Sequence, residues 1–259
     1  MSYVDLHLHL LPGVDDGAED ERDALVYARR LAREGVREVV CTPHVSPSWP
    51  LEVASIPERV AALQRLIDER SLGVRLHAGG ELHPARASTL TDDELEVIAH
   101  GPAGSRWVLL EAPFSGIGDH FVGVCDHLRS RGYGLVIAHP ERAGNLLDDG
   151  GLPRLREQLD DGAVLQINVC SLLGNHGLAI QEAAVHLLRN GLAYAIASDA
   201  HPATRDHTAR LGLELALRAG ASSVQAWRLT QANPRFLLRS GIPQAPSPAT
   251  IAALELLLD

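Results

Sequence analysis

Short, almost continuously apolar runs alternate along the whole chain with longer stretches of helical spacing. The runs fall at residues 3–9, 36–44, 74–81, 107–113, 135–140, 164–169 and 193–199. Strands covered on both faces read this way, because neither side needs a polar alternation. Between them, residues 18–34 carry Leu25, Ala28, Leu31 and Ala32 on one stripe and stop at Gly35, which predicts a helix. Ser55-Ile56-Pro57-Glu58 and Thr91-Asp92-Asp93-Glu94 read as capping boxes opening two more helices. Repeated strand–helix units imply a parallel sheet, and seven of them an α/β fold closed, or nearly closed, into a barrel. No internal boundary interrupts the pattern, so residues 1–259 are expected to form one domain. Residues 240–248 read as a proline-rich linker. The apolar tail 249–258 is expected to be a last helix, packed on the barrel or on a neighbouring subunit of a homo-oligomer.

Composition narrows the function more than the fold. A chain of 259 residues buries a full core. Its net charge of −10 argues against nucleic-acid binding. All 23 basic residues are arginine, so Schiff-base chemistry, pyridoxal-phosphate attachment, a Walker lysine and a carboxylated-lysine metal bridge are excluded together. No apolar run approaches the roughly 20 residues of a membrane span, so no membrane insertion is expected. Neither a basic segment followed by an apolar one nor a cysteine framework marks the chain for export, and a cytoplasmic protein is expected. Cys41, Cys125 and Cys170 are scattered.

The candidate chemistry lies at the strand ends, where β/α barrels carry their active sites. In Asp5-Leu6-His7-Leu8-His9 the two histidines are two apart, so strand geometry points both imidazoles the same way. Later strand ends supply His44, Glu81, Glu111, His139, Asp199 and His201. Only the run 164–169 ends without an obvious ligand. So many carboxylates in one cleft repel one another, and divalent cations resolve that conflict. Their number exceeds what one ion needs and implies two or three ions with bridging carboxylates. The nitrogen–oxygen mixture fits Mn, Fe or Zn and does not choose among them.

His77, His100, His120, His127, His186 and His207 lie off the strand ends and read as structural, while His83 and His176 sit in loops that could face the barrel mouth. Arg142 follows His139 by three residues and Arg205 follows His201 by four, and a guanidinium fork beside a metal cluster suits a phosphate. Cys125 and Arg131 formally match the spacing of the cysteine-based tyrosine phosphatases. The segment between them has no glycine and reads as mid-helix, so Cys125 is expected in the core.

Asp5-Leu6-His7-Leu8-His9, Thr42-Pro43-His44, Ala138-His139-Pro140-Glu141-Arg142 and Ser198-Asp199-Ala200-His201 resemble the motifs of the PHP (polymerase and histidinol phosphatase) superfamily. Leu11-Pro12-Gly13-Val14-Asp15-Asp16-Gly17, Gln166-Ile167-Asn168, Ser171-Leu172-Leu173-Gly174 and Asn233-Pro234 narrow the resemblance to its bacterial capsule-type, metal-dependent protein tyrosine phosphatases. The resemblance implies a distorted (β/α)7 barrel holding three metals. His7, His9, Glu81 and Asp199 hold the first. Glu81 bridges to the second, shared with Glu111 and His139. Asp16, His44 and His201 hold the third, with Asp15 the rival of Asp16 in the sequence. Arg142 and Arg205 fall where the family binds phosphate oxygens, although the Pro202-Ala203-Thr204 step before Arg205 is less typical. The implied reaction is attack of a metal-bridging hydroxide on a phosphomonoester, with His201 or His44 assisting. The implied substrate is the phosphotyrosine tail of a bacterial tyrosine kinase controlling capsular or exopolysaccharide export. The rivals are a small-molecule phosphatase such as histidinol-phosphate phosphatase, a PHP phosphodiesterase or nuclease, and a regulatory metal-binding barrel without turnover.

Overall fold

The computed structural model describes residues 2–144, 146–147 and 150–242. The strands are β1 (Tyr3–Leu8), β2 (Val36–Cys41), β3 (His44–Val45), β4 (Arg75–Ala78), β5 (Glu81–Leu82), β6 (Trp107–Glu111), β7 (Gly134–Ala138), β8 (Val164–Asn168) and β9 (Ala193–Ala197). The helices are α1 (Glu21–Arg33), α2 (Ile56–Glu69), α3 (Asp92–Ile98), α4 (Asp119–Ser130), α5 (Gly151–Asp160), α6 (Val169–Leu173), α7 (Leu178–Arg189), α8 (Ala209–Arg218), α9 (Ser223–Trp227) and α10 (Asn233–Ser240). The expected linker and apolar tail lie, beyond Ile242, outside the described residues.

Every ladder is parallel. β1, β2 and β4 form one sheet, and β3, β5, β6, β7, β8 and β9 form the other. The last strand returns to the first: the Asp199 N–H donates to His7 O at 2.9 Å and the His9 N–H to Ala200 O at 3.1 Å. The seven runs thus make a distorted barrel. Two of them, read as continuous, are each broken in two. Pro43 has no N–H to continue a ladder. At Gly79 a Cβ would lie 2.6 Å from Val40 Cγ1 and from His100 Nε2, so only glycine permits that approach. Beyond the breaks, β3 and β5 pair with His44 directly opposite Glu81.

Helices cover the outside, and their apolar stripes meet the outward side chains of the strands in one large core. A second core gathers Val4, Leu6, Val40, Trp107, Leu109, Val136, Ala138 and Ala195 with Leu237 and Ile242. These residues come from strands spread around the ring, so this core fills its interior. Trp107 Nε1 donates to Leu237 O at 2.9 Å, and Arg235 to Ser2 O at 2.8 Å, so α10 closes the end where the strands begin. The opposite end is left for chemistry.

The helix signals fare unequally. Thr91 and Glu94 form the expected reciprocal cap on α3. Ser55 does not cap α2. A single helical turn at Val53–Ser55 already holds Ser55 in helical conformation, and its hydroxyl donates back to Glu52 O at 2.7 Å. The helix expected over residues 18–34 begins at Glu21, because Asp20 accepts from the Asp23 N–H at 2.8 Å and fixes the start there.

Candidate metal centre

All the strand-end residues singled out in the sequence meet at one end of the barrel. His7 and His9 are fully buried, and their Nε2 atoms lie 3.2 Å apart. His7 Nδ1 lies 3.0 Å from Gln166 Oε1, and His9 Nδ1 2.8 Å from Asp15 Oδ2. Those oxygens only accept, so each Nδ1 carries the proton and each Nε2 presents a lone pair. Two facing lone pairs repel unless a cation or proton lies between them. Glu81 Oε2 is 3.5 Å from His7 Nε2 and 3.4 Å from His9 Nε2, and Asp199 Oδ1 is 3.4 and 3.5 Å from the same atoms. Both carboxylates thus approach the same pair of imidazole nitrogens.

A second group forms around Asp16, whose Oδ1 is 3.2 Å from His44 Nε2 and 3.1 Å from His201 Nε2, with His9 close by. Asp15 has a different place. It accepts from His9 Nδ1, from the His44 N–H at 2.9 Å and from the Gly17 N–H at 2.9 Å, so it orients the imidazole rather than facing the second group. Gly17 is required here, since a Cβ would stand 2.2 Å from His9 O. Around the remaining residues the grouping differs in detail from the one the resemblance implied. His139 Nε2 is 2.7 Å from Glu81 Oε1 but groups with His7 and Asp199, whereas Glu111 groups with His44 and Glu81. His139 Nδ1 is buried without a hydrogen-bond partner. Oxygen and imidazole donors packed this closely fit divalent cations.

Charge follows from the same packing. Burial alone would push Glu81 and Asp199 up, but the charge of His7 and the contacts of the other imidazoles hold both well below the usual carboxylate range. Burial opposes protonation of His7 and His9, yet the carboxylates around them raise both. His44, bonded to Asp16 and Glu81, is raised against its burial to about 9. Glu111 is pushed up to about 7, first by burial and then by the charge of Glu81. The cluster therefore demands positive charge, which a metal ion supplies without protons.

His139 and Asp199 share a rarer feature: both are non-glycine residues in left-handed backbone conformation, with φ of 36° and 47°. Each sits just past the end of its strand, where the chain turns sharply to aim a side chain into the mouth.

Arg142 and Arg205 reach the same place. Arg142 Nη1 lies 3.4 Å from Asp199 Oδ2, and Arg205 Nη2 3.7 Å from Asp199 Oδ1. Arg205 Nη2 also lies 2.7 Å from His201 Nδ1, whose ring burial keeps neutral. His176 lies near both guanidiniums, and burial followed by their charge lowers it to about 4. His83 instead accepts from the Ala85 N–H at 3.1 Å, fixing a turn. Cys125 is buried in the middle of α4, where burial pushes its thiol up to about 12, so it is no nucleophile.

The strand that offered no ligand holds the others in place. Gln166 on β8 accepts from His7 and donates to Asn168 Oδ1 at 2.7 Å, and Asn168 donates to Asp199 Oδ2 at 2.6 Å. The Asn168 N–H in turn donates to buried Glu141 at 2.8 Å. The Gln-x-Asn spacing puts both amides on one strand face, and that was the signal available in the sequence.

Fold and site define a parallel α/β barrel built around a candidate polynuclear metal centre. Residues 3–238 match the family model for capsular polysaccharide synthesis, CpsB/CapC, and the chain belongs to that family. It is 31% identical over 206 residues, 78% of each chain, to the putative tyrosine-protein phosphatase CapC of Staphylococcus aureus. It is 28% identical over 199 residues, 76% of this chain and 77% of the relative, to the tyrosine-protein phosphatase YwqE of Bacillus subtilis. Among solved structures, a chain from the crystal structures of YwqE from Bacillus subtilis and CpsB from Streptococcus pneumoniae, described as unique metal-dependent tyrosine phosphatases, matches with a TM-score of 0.76. Identity is 24%, and the match covers 93% of this chain and 97% of that one. Histidinol phosphate phosphatase of Lactococcus lactis shares the fold at a TM-score of 0.55 and 14% identity, over 85% of this chain and 95% of that one.

Proposed function

We propose that this protein is a metal-dependent tyrosine phosphatase that removes phosphate from a bacterial tyrosine kinase of capsular or exopolysaccharide synthesis. Family membership and the names of its relatives support the activity. The observation that carries it is the approach of one Glu81 and one Asp199 oxygen to within 3.5 Å of the His7 and His9 Nε2 atoms, with Arg142 beside Asp199. In this reading one ion is held by His7, His9, Glu81 and Asp199, a second by Glu81, Glu111 and His139, and a third by Asp16, His44 and His201. Manganese is the first choice, with iron or zinc the alternatives. Divalent ions supply Lewis-acid stabilisation and a strong nucleophile at neutral pH. Arg142 and Arg205 donate to the non-bridging phosphoryl oxygens, where charge builds up. Gln166 and Asp15 hold His7 and His9 in the tautomer that turns Nε2 inward. A phenolate with a pKa of about 10 leaves with little help from an acid, so His201 can remain neutral. The same reading treats residues 1–259 as one domain acting in the cytoplasm on the kinase tail.

The deciding experiment strips the metal and follows hydrolysis of a phosphotyrosine peptide, p-nitrophenyl phosphate and histidinol phosphate while Mn, Fe or Zn is added back. Metal-dependent turnover favouring the peptide is expected. Preference for histidinol phosphate would move the protein to small-molecule chemistry, and no turnover by folded, metal-loaded protein would end the phosphatase reading.

A further inference from the structure

Phe114 is among the large apolar side chains left exposed, with 52% of its surface open to solvent. Such a residue standing alone on a surface needs no explanation. Phe114 does not stand alone. The Arg142 guanidinium carbon lies 4.4 Å from its ring centroid, and the His139 ring centroid lies 6.0 Å away. Its backbone is also tied to the loop that carries Arg142, because the Gly144 N–H donates to Phe114 O at 3.0 Å. The ring is thus held at the rim of the site before any substrate arrives, beside a guanidinium and an imidazole and with about half of its surface exposed.

Resting on the phosphatase reading above, we propose that Phe114 is a specificity and positioning residue: its open face receives the aromatic ring of a phosphotyrosyl group whose phosphate is bound at Arg142. A preformed aromatic surface next to the phosphate-binding guanidinium matches an aryl phosphomonoester and gives nothing to an alkyl one. Aromatic pairs prefer offset or edge-to-face contact, a geometry that an exposed ring fixed at one edge can adopt.

The test compares phenyl phosphate and a phosphotyrosine peptide with β-glycerophosphate, using the metal-loaded full chain and its Phe114→Ala, Phe114→Leu and Phe114→Tyr variants. Phe114→Ala and Phe114→Leu should raise KM for the aryl esters about three- to tenfold, the worth of one aromatic pair. The alkyl ester and inhibition by inorganic phosphate should barely change, and Phe114→Tyr should restore the aryl preference. Equal losses on aryl and alkyl esters, or weakened inorganic phosphate inhibition, would show that Phe114 acts only by supporting Arg142 and would overturn the assignment. Unchanged KM values would overturn it too. Were the wild type to hydrolyse none of these esters, the phosphatase reading alone would fail. Calorimetric binding of phenyl phosphate against inorganic phosphate would then decide the role of Phe114: a preference for phenyl phosphate lost in Phe114→Ala upholds it, and no preference sinks it.

Discussion

His7 and His9 turn their Nε2 atoms toward each other at 3.2 Å, each backed by an acceptor on its other ring nitrogen. Two lone pairs in that position are a source of repulsion until positive charge comes between them. Divalent metal should therefore stabilise the fold by mass action, about 2.7 kcal/mol at a hundredfold excess over Kd. Thermal melts after chelation and after metal addition measure this. His9→Ala should lose most of the metal-dependent rise, and an equal rise in both proteins would detach the metal from this pair.

Asp15 and Asp16 are neighbours with different jobs. Asp16 Oδ1 faces His44 and His201, while Asp15 is used up by His9 and two backbone N–H groups. Asp16→Ala should lower the number of bound ions in mass-spectrometric metal counts. Asp15→Asn should keep the number and weaken affinity about 10- to 100-fold, as expected when a group orienting a ligand is altered. Loss of an ion on changing Asp15 rather than Asp16 would reverse the assignment.

Gln166 touches no reacting group in this picture, yet it fixes His7 and, through Asn168, Asp199. Replacing it with leucine leaves a buried imidazole N–H and an amide oxygen unpaired, at about 1–3 kcal/mol. Gln166→Leu should lower the melting temperature and loosen metal binding together. Gln166→Glu keeps an acceptor for His7 and should recover part of the affinity. A leucine variant indistinguishable from wild type would mean the chain of amides is incidental.

His100 carries an acid sensitivity separate from the metal centre. It is buried with its ring 4.8 Å from that of Trp107, and burial, helped by the charges of His77 and Arg106, depresses it to about 3. The folded state thus takes up this proton only near pH 3, whereas the unfolded chain takes it up near 6.5. Between those values the unfolded state binds more protons. The stability contribution is complete above pH 6.5 and is lost as pH falls toward 3, with a ceiling of about 5 kcal/mol. His100→Phe should lose less stability than wild type when denaturant melts are repeated from pH 7 down to pH 4. Parallel pH profiles would remove His100 as a cause.

All seven apolar runs were legible as strand positions because each is local, and the α3 cap was legible because its two partners are three residues apart. Ser55 misled for the opposite reason. The same spacing follows a turn whose course depends on how residues 53–55 pack, and that turn redirected the hydroxyl. The breaks at Pro43 and at Gly79 were marked by the residues best able to make them, yet only packing of Val40 and His100 around Gly79 shows why the strand must interrupt there. That interruption is what sets His44 opposite Glu81.

The sequence by itself determined the alternation of strands and helices, the absence of lysine chemistry, and the residue types waiting at each strand end. Tertiary structure decided how they are used. His7 is told which nitrogen to present by Gln166, 159 residues away, and where His44 and His201 arrive puts them against Asp16 rather than Asp15. Periodicity encodes which way a side chain leaves its own strand, a property of a few neighbouring dihedrals. Proton position, charge and pairing depend on groups brought within about 3 Å by closure of the barrel, and no local pattern carries that distance.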